Sequence, residues 1–290
     1  MKPIDNTFIQ SRLGWPAVGN HVPAVSDTDV FNEIDDQFAL VYALPAKDRL
    51  DLQALYAAPF HNDRSTGPAD GMAKSYDEIV RILEILGRRS ADLVLGGPSK
   101  WIGSRRASAS VTSDARDDLI DLARARPDHQ PQFVIAIGAP TDIASAILAA
   151  PDIREKVVVL WLAGQPLHWP FASEFNHRQD TYASQVILDS SVPLVLFPCM
   201  QAAEPLTTTV AELNTRMDGM SRVGSYLAKI FREYKRADPP PTAPGSFKTI
   251  WDLAPLAWLM VESWVDTTVV ASPSLTSGPP PDHACSTGSA

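Results

Sequence analysis

The sequence predicts an open α/β fold, with a mostly parallel, doubly wound sheet and helices on both faces. Short apolar runs of strand length alternate along the chain with longer segments whose apolar residues have helical spacing. The run VVVLWL at Val157–Leu162 has the composition of a buried strand. Several strand runs end in turn-forming residues, such as Gly-Gly-Pro and Gly-Ala-Pro. This alternation favours parallel strands joined by helical crossovers.

The first half of the chain predicts three strands and two helices. Val22–Val25 is a strand that ends in the polar run SDTD, and the helical pattern of Asp36–Leu44 follows it. Leu50–Ala57 is a second strand. Tyr76–Leu86 has apolar residues at helical spacing. Leu93–Gly96 is a short strand that Gly-Gly-Pro ends.

The second half continues the alternation with three more strands and three helices. Ser113–Arg124 is a predicted helix with Ser113 as its N-cap. A strand at Phe133–Ile137 is broken by Gly-Ala-Pro before the next helix. The remaining predicted elements are the helix Thr141–Ala149, the strand Val157–Leu162, the helix Asp180–Asp189 and the strand Leu194–Phe197.

We expect one domain over residues 1–270 and a flexible C-terminal tail over residues 271–290. The tail is rich in Ser, Pro and Gly and has few hydrophobic residues. Asp238–Gly245 (DPPPTAPG) reads as a loop inside the domain. No internal repeat is evident.

Charge and composition exclude several classes of partner. The 290 residues carry a formal net charge of −9, which argues against nucleic-acid polymers and anionic membranes as partners. No window approaches 18 consecutive apolar residues, and the N-terminal segment lacks a signal-peptide stretch. A cytoplasmic protein is therefore the expectation. Cys199 and Cys285 have no metal-ligand spacing, and we expect no disulfide framework.

The strongest functional signal is an acidic loop after the first strand. Four aspartates and one glutamate fall within the ten residues from Asp27 to Asp36. In an open α/β sheet, ligands bind at the carboxyl ends of the strands, where this loop begins. So many carboxylates repel one another unless a hard cation or protonation neutralises them. We therefore predict a divalent metal site.

The sequence of this loop allows two other interpretations. In the first, Asp35 and Asp36 only occupy a first helical turn, where the helix dipole favours acidic residues. That explains two carboxylates but not Asp27 and Asp29 at the strand end. The Asp-x-Asp pattern also occurs in haloacid-dehalogenase-type phosphatases, which have Thr or Val where this chain has Phe31. A magnesium-dependent phosphatase is therefore the weaker interpretation.

The same loop resembles that of the inosine-uridine-preferring nucleoside hydrolase family, whose members typically carry Asp-x-Asp-Pro-Gly-x-Asp-Asp. This chain has the longer spacer 30–34 in place of Pro-Gly-x. IAIGAPTDIA at Ile135–Ala144 is similar to the family's strand and turn ending in Thr-Asn-Ile-Ala. SEFNHRQD at Ser173–Asp180 resembles its Glu-Phe-Asn followed by Asp. IWDLAPLAWL at Ile250–Leu259 resembles its His-Asp-Pro helix start. The four landmarks occur in family order.

The resemblance implies a role for each matching residue. Calcium, or less favourably magnesium, would be bound by three carboxylates and one backbone carbonyl: Asp29, Asp36, Asp252 and Ile137. Asp29 would also act as the base toward the metal-bound water. Five side chains would hold the ribose or contact the base: Asp35, Asn62, His168, Glu174 and Asn176. The substrate would be a small ribonucleoside, and the family assembles as homodimers or homotetramers.

One difference from the family concerns the protonation of the leaving base. Trp251 stands where many family members have a His that is thought to protonate the base, and Trp has no titratable proton but can stack on a base. His61, His168 and His177 remain candidates for the acid, and Trp169 is a candidate for base stacking. The predicted function is calcium-dependent hydrolysis of the N-glycosidic bond of ribonucleosides. The alternative is a non-catalytic ribosyl- or nucleoside-binding protein that keeps the metal site.

Overall fold

Six parallel strands form the central sheet in the order β3-β2-β1-β4-β5-β6. The computed structural model describes residues 1, 3–16, 21–89, 93–103, 110–234 and 243–275. The strands are short and mostly apolar, which suits burial between two helical layers. The strands are β1 Val22–Thr28, β2 Leu50–Ala57, β3 Val94–Gly96, β4 Gln132–Ala136, β5 Val157–Leu162 and β6 Leu194–Phe197. The predicted open α/β fold is confirmed.

Ten α-helices lie within the described ranges, and most of them connect successive strands. They are α1 Asn6–Arg12, α2 Asp35–Ala43, α3 Pro68–Ile85, α4 Asp114–Ala125, α5 Thr141–Ala149, α6 Phe175–Gln179, α7 Thr181–Asp189, α8 Val210–Arg216, α9 Arg222–Arg232 and α10 Leu253–Met260. Two further strands, β7 Thr207–Thr209 and β8 Phe247–Thr249, form a small antiparallel pair, and β8 is followed along the chain by α10.

The strand order fixes where a ligand can bind. From β1 the chain moves outward through β2 to β3, then returns to the other side of β1 as β4. The connections after β1 and β4 therefore diverge, and a crevice opens between the carboxyl ends of these two strands. Open α/β sheets bind ligands at such a point. The acidic loop after β1 leads directly into this crevice.

Apolar side chains fill both faces of the sheet. On one face, α4, α5 and α7 pack on residues such as Val134, Val159 and Trp161. On the other, α2 and α10 cover Ile135, Leu160 and their neighbours. Trp161 is fully buried, as its place within the VVVLWL run predicts.

The sequence pattern predicts α3 to be shorter than it is. This helix begins at Pro68, eight residues before the predicted start at Tyr76. Pro68 occupies the first helical turn, where its missing N–H costs nothing, and Asp70 favours the same turn electrostatically. The early part of α3 carries few apolar residues, so hydrophobic periodicity does not detect it.

The C-terminal region is described only in part. Residues 235–242, most of the Pro-rich segment, and residues 276–290, most of the predicted tail, lie outside the described ranges. Residues 271–275 contact α7, where the Ser272 hydroxyl donates to the Leu188 carbonyl at 2.8 Å. Among the described helices, none has both the length and the apolar character that a membrane crossing needs.

Candidate active site

Four aspartates from three segments meet at the carboxyl end of β1. Asp29 lies one residue beyond β1, Asp35 and Asp36 open α2, and Asp252 directly precedes α10. Their relative exposures are 1%, 3%, 1% and 4% respectively. Isolated carboxylates are almost never buried this deeply without partners, so the cluster requires a compensating charge, protons or hydrogen bonds.

Helix capping does not account for this cluster. Asp252 is the N-cap of α10, yet its side chain makes no capping hydrogen bond. The N-cap of α2 is Ile34, which leaves Asp35 and Asp36 inside the first turn. Asp36 instead accepts a hydrogen bond from the Thr28 hydroxyl at 2.5 Å and shares one with Asp252. The side chains therefore point to each other rather than to the helix ends.

Crowding and burial shift the acidity of the cluster. Burial, followed by the charge of Asp35, raises the pKa of Asp36 to about 8. Burial and the charges of Asp36, Asp35 and Asp29 raise the pKa of Asp252 well above its usual range. The pKa of Asp29 is raised in the same way, first by burial and then by Asp36 and Asp35. Without a cation, the site must therefore hold protons near neutral pH.

The donor set fits a hard divalent cation. Carboxylate oxygens of Asp35, Asp36 and Asp252 lie within 4.8 Å of one another. Within the described chain, Oδ2 of Asp29 and Oδ1 of Asp35 are buried and have no hydrogen-bond partner. Buried oxygens without donors are the atoms that a metal ion would satisfy, and all-oxygen ligands suit calcium or magnesium.

The predicted metal ligands differ in part from this group. The prediction names Asp29 and the Ile137 carbonyl beside Asp36 and Asp252, whereas the structure groups Asp35 most tightly with the latter two. The Ile137 N–H donates to the Asp27 carbonyl at 2.9 Å, which places Ile137 beside the end of β1. A Cβ on the next residue, Gly138, would lie 3.3 Å from Cγ of Asp29. The Gly-Ala-Pro turn thus gives Asp29 room at the crevice.

Two predicted sugar-binding residues lie beyond the end of β5. Glu174 caps α6, and its carboxylate accepts backbone N–H groups of Gly164, Asn176 and His177. Burial raises the pKa of Glu174, and these hydrogen bonds act in the opposite direction. Nδ2 of Asn176 donates to the Leu162 carbonyl at 2.9 Å. After burial and the nearer carboxylates, the charge of Glu174 also contributes to the raised pKa of Asp29.

The other two polar side chains predicted for the sugar or base lie at the rim. Asn62, after β2, donates through Nδ2 to Oδ1 of Asn32 in the acidic loop at 2.6 Å. His168 is exposed in the turn from Pro166 to Trp169. The structure therefore ties Asn62 to the acidic loop, whereas His168 lies on a surface turn.

The aromatic candidates differ in position. The backbone N–H of Trp251 donates to Asp35, so the Trp251 side chain, which is partly exposed, starts at the edge of the carboxylate cluster. Trp169 forms an edge-to-face pair with Phe171, with ring centroids 5.8 Å apart. His177 is buried against Trp161 at 4.8 Å, and burial lowers the pKa of His177 to about 4. His177 is therefore neutral at physiological pH.

Comparison with known proteins decides the family. The family model for inosine-uridine-preferring nucleoside hydrolases matches residues 24–279. The chain belongs to this family. Membership makes it a hydrolase that acts on N-glycosyl compounds. Curated relatives include a pyrimidine-specific ribonucleoside hydrolase RihA of Citrobacter koseri, which is 22% identical over 84% of this chain and 83% of the relative. The RihA of Salmonella choleraesuis is 23% identical over the same shares.

Solved nucleoside hydrolases share the fold. An inosine-guanosine nucleoside hydrolase superposes with a TM-score of 0.64 over 87% of this chain and 83% of its own, at 15% identity. The purine-preferring ribonucleoside hydrolase from Gardnerella vaginalis gives a TM-score of 0.61 over 82% and 80% of the two chains, at 19% identity. At these identities, the superpositions establish the nucleoside hydrolase fold alone.

Sequence reasoning missed two residues that contact the candidate site. Lys248 on β8 places its ammonium 2.7 Å from Glu33 and 3.6 Å from Asp35. Cys199, after β6, shares a hydrogen bond with Glu174, and burial raises the pKa of its thiol. No sequence spacing signals these contacts, because they join segments more than twenty residues apart.

A second acidic pair lies beneath the site. Asp142 stands where family members have the Asn of Thr-Asn-Ile-Ala, and its carboxyl hydrogen-bonds that of Asp27. Both side chains are fully buried, and the Ser113 hydroxyl donates to Asp142 at 2.9 Å. Burial raises the pKa of Asp142 to about 7 and that of Asp27 well above its usual range. Two buried carboxyls in contact must share a proton.

We expect Asp142→Asn to stabilise the protein at alkaline pH. A folded-state pKa near 7 means that stability is lost as pH rises from about 4, the unfolded value, to 7. The amide removes this loss and donates to Asp27. Thermal melts should show a gain that is small at pH 4.5 and grows to roughly 4 kcal/mol at pH 8, since each pKa unit corresponds to about 1.4 kcal/mol. Asp121→Asn, an exposed aspartate on α4, is the control. A gain that is constant with pH would contradict the shared proton.

Proposed function

We propose that the protein hydrolyses the N-glycosidic bond of ribonucleosides in a calcium-dependent reaction that gives free base and ribose. The observation that carries the proposal is the cluster of four buried aspartates at the crevice between β1 and β4. Two buried oxygens of this cluster have no partner among the described residues. Family membership supplies the reaction class, and the carboxylate cluster supports the metal.

Cleavage of a ribosidic C–N bond builds positive charge on the sugar, as in other glycoside hydrolyses. Ionised carboxylates near the ribose stabilise that charge. Asp29 is buried, and its Oδ2 has no hydrogen-bond partner in the part of the chain that the structure describes. It would take a proton from the attacking water. A bound calcium ion would lower the pKa of a coordinated water and orient it. Asp29, Asp36, Asp252 and the Ile137 carbonyl would hold the ion.

The ribose would be held by groups on two sides of the crevice. Asp35 on α2 and Glu174 with Asn176 at α6 offer carboxylate and amide groups for the sugar hydroxyls. Glu174 is fixed by three backbone donors, so it would orient a hydroxyl without loss of side-chain freedom. Asn62 would complete the site from the β2 side, since it already contacts the acidic loop.

This chain differs from the family's usual pattern at the residue expected to protonate the leaving base. Trp251 replaces the usual His, and the buried His177 has a pKa lowered to about 4 by desolvation. A residue with that pKa is unprotonated at pH 7 and makes a poor acid there. We infer that Trp251 stacks on the base and that substrates with good leaving groups react best.

Steady-state assays with inosine, uridine and p-nitrophenyl riboside test the proposal. The activated riboside needs no acid, so we expect calcium-dependent turnover of it at least about 100-fold above that of inosine, within the range of acid catalysis. Absence of turnover with all three, combined with calcium-dependent ribose binding, would replace the proposal with the binding-protein alternative. Phosphate release from a phosphomonoester would favour the phosphatase interpretation.

Restoring the acid gives a sharper test. Trp251→His should raise kcat/KM for inosine by about 10-fold or more while leaving p-nitrophenyl riboside nearly unchanged. Trp251→Phe is the matched control, because it keeps an aromatic ring without adding a proton donor. An equal effect of the His variant on both substrates would show that protonation of the base is not what Trp251 has replaced.

A further inference from the structure

Lys248 is the cation closest to the acidic cluster among the described residues. Its ammonium lies 2.7 Å from Oε2 of Glu33 and 3.6 Å from Oδ2 of Asp35, and only 9% of its side chain is exposed. The ammonium also lies 5.3 Å from the centroid of the Tyr234 ring. A lysine is rarely buried to this extent, so its position among these groups calls for an explanation beyond surface pairing.

The contact between Lys248 and Glu33 joins two segments of this chain, the acidic loop and the small hairpin β7–β8. Glu33 belongs to the five-residue spacer 30–34, which is longer than the family's Pro-Gly-x form. Lys248 is the central residue of β8, which pairs with Thr208 on β7. The longer loop thus contributes the carboxylate, and the small hairpin contributes the ammonium that meets it.

The ammonium of Lys248 acts unequally on the acidic residues of the cluster. Asp35 and Glu33 face a fixed positive charge, whereas the charges that act on Asp252 and Asp29 are mainly those of other carboxylates. A divalent cation is repelled by the ammonium and attracted by the aspartates away from it. Yet oxygens of Asp35 lie within 4.8 Å of those of Asp36 and Asp252, so distance alone would allow Asp35 to be a metal ligand.

We propose that Lys248 is a positioning residue that keeps Asp35 from the metal ion and reserves it for a ribose hydroxyl. The part of this inference that concerns ribose rests on the proposed function. The part that concerns the metal ion does not. Lys248 directs the cation toward Asp29, Asp36 and Asp252. Glu33 offsets most of the ammonium charge, so that the cation is directed without being excluded.

Calcium titration calorimetry on the full chain tests the inference. Lys248→Met should tighten calcium binding about tenfold, because the nearest positive charge is removed and Asp35 becomes a ligand. Lys248→Arg should stay within about twofold of wild type, since it keeps the charge. Glu33→Gln should weaken binding several-fold, because the ammonium is no longer offset. Lys47→Met, which changes an exposed lysine just before the amino end of β2, should have no effect.

Kinetics with p-nitrophenyl riboside provide the second measurement. Lys248→Met should raise KM more than it lowers kcat, because Asp35 then serves the metal instead of the sugar. Unchanged or weaker calcium binding in Lys248→Met would overturn the inference. If that variant does not fold, as judged by circular dichroism, tighter or unchanged binding in Glu33→Gln overturns it instead. If wild type hydrolyses no riboside while the calcium shifts appear, the proposed function fails and the metal part of the inference stands.

Discussion

Asp29→Asn is expected to lower kcat on p-nitrophenyl riboside by about 1,000-fold, within the range measured for loss of a general base. Asn keeps the shape of the side chain but can neither take a proton nor offer a charged oxygen. Asp29 lies one residue beyond β1, and among the described residues its buried Oδ2 has no hydrogen-bond partner, so this oxygen is available to accept a proton from water. Steady-state kinetics at saturating calcium measure the effect.

Stability separates this loss from misfolding. The pKa of Asp29 is raised by burial, so its removal relieves a desolvation cost, and Asp29→Asn should melt no lower than wild type in the presence of a chelator. Asp51→Asn, an exposed aspartate on β2, should change neither activity nor melting temperature. Activity of Asp29→Asn within tenfold of wild type would remove Asp29 from the mechanism.

Calcium is expected to raise the melting temperature by roughly 8 °C at a concentration about 1,000-fold above its Kd, since that excess corresponds to about 4 kcal/mol. Chelation should abolish hydrolysis, and calcium should restore it better than magnesium, which usually retains more of its water. Asp36→Asn should eliminate the thermal shift, because Asp36 touches both Thr28 and Asp252 at the centre of the cluster.

The same binding should depend on pH. Because burial and Asp35 raise the pKa of Asp36 to about 8, calcium must displace a proton at neutral pH. Calcium affinity should therefore rise as pH increases from 5.5 to 8. Calorimetry in buffers of different ionisation enthalpy should detect the released protons. An affinity that does not vary over this range would mean that the carboxylates were already ionised.

The sheet was predictable because each strand carries its own signal. Val157–Leu162 and Leu50–Ala57 match the observed strands residue for residue. Val157–Leu162 is apolar throughout because it is buried on both faces of the sheet. Neither run predicts the order of the strands in the sheet, because strand pairing depends on contacts between segments that are distant in the sequence. The hairpin β7–β8 was missed because its strands have only three residues each and carry threonines rather than an apolar run.

Those site residues that lie close together in the sequence were predictable. The acidic loop placed Asp29, Asp35 and Asp36 at the strand end from spacing alone. Asp252 was reached only through the family resemblance, since a single Asp before a helix usually indicates a cap. Lys248 could not be found, because its role depends on a charge more than two hundred residues away in sequence, at Glu33.

The most direct test is a crystal structure of the protein soaked with calcium and ribose. We expect one ion within about 2.3–2.6 Å of oxygens from Asp29, Asp36 and Asp252. A ribose hydroxyl should contact Asp35 beside Lys248. A crevice that holds no divalent ion, with these aspartates turned apart or hydrogen-bonded as neutral acids, would contradict the proposal that the cluster binds a metal ion for catalysis.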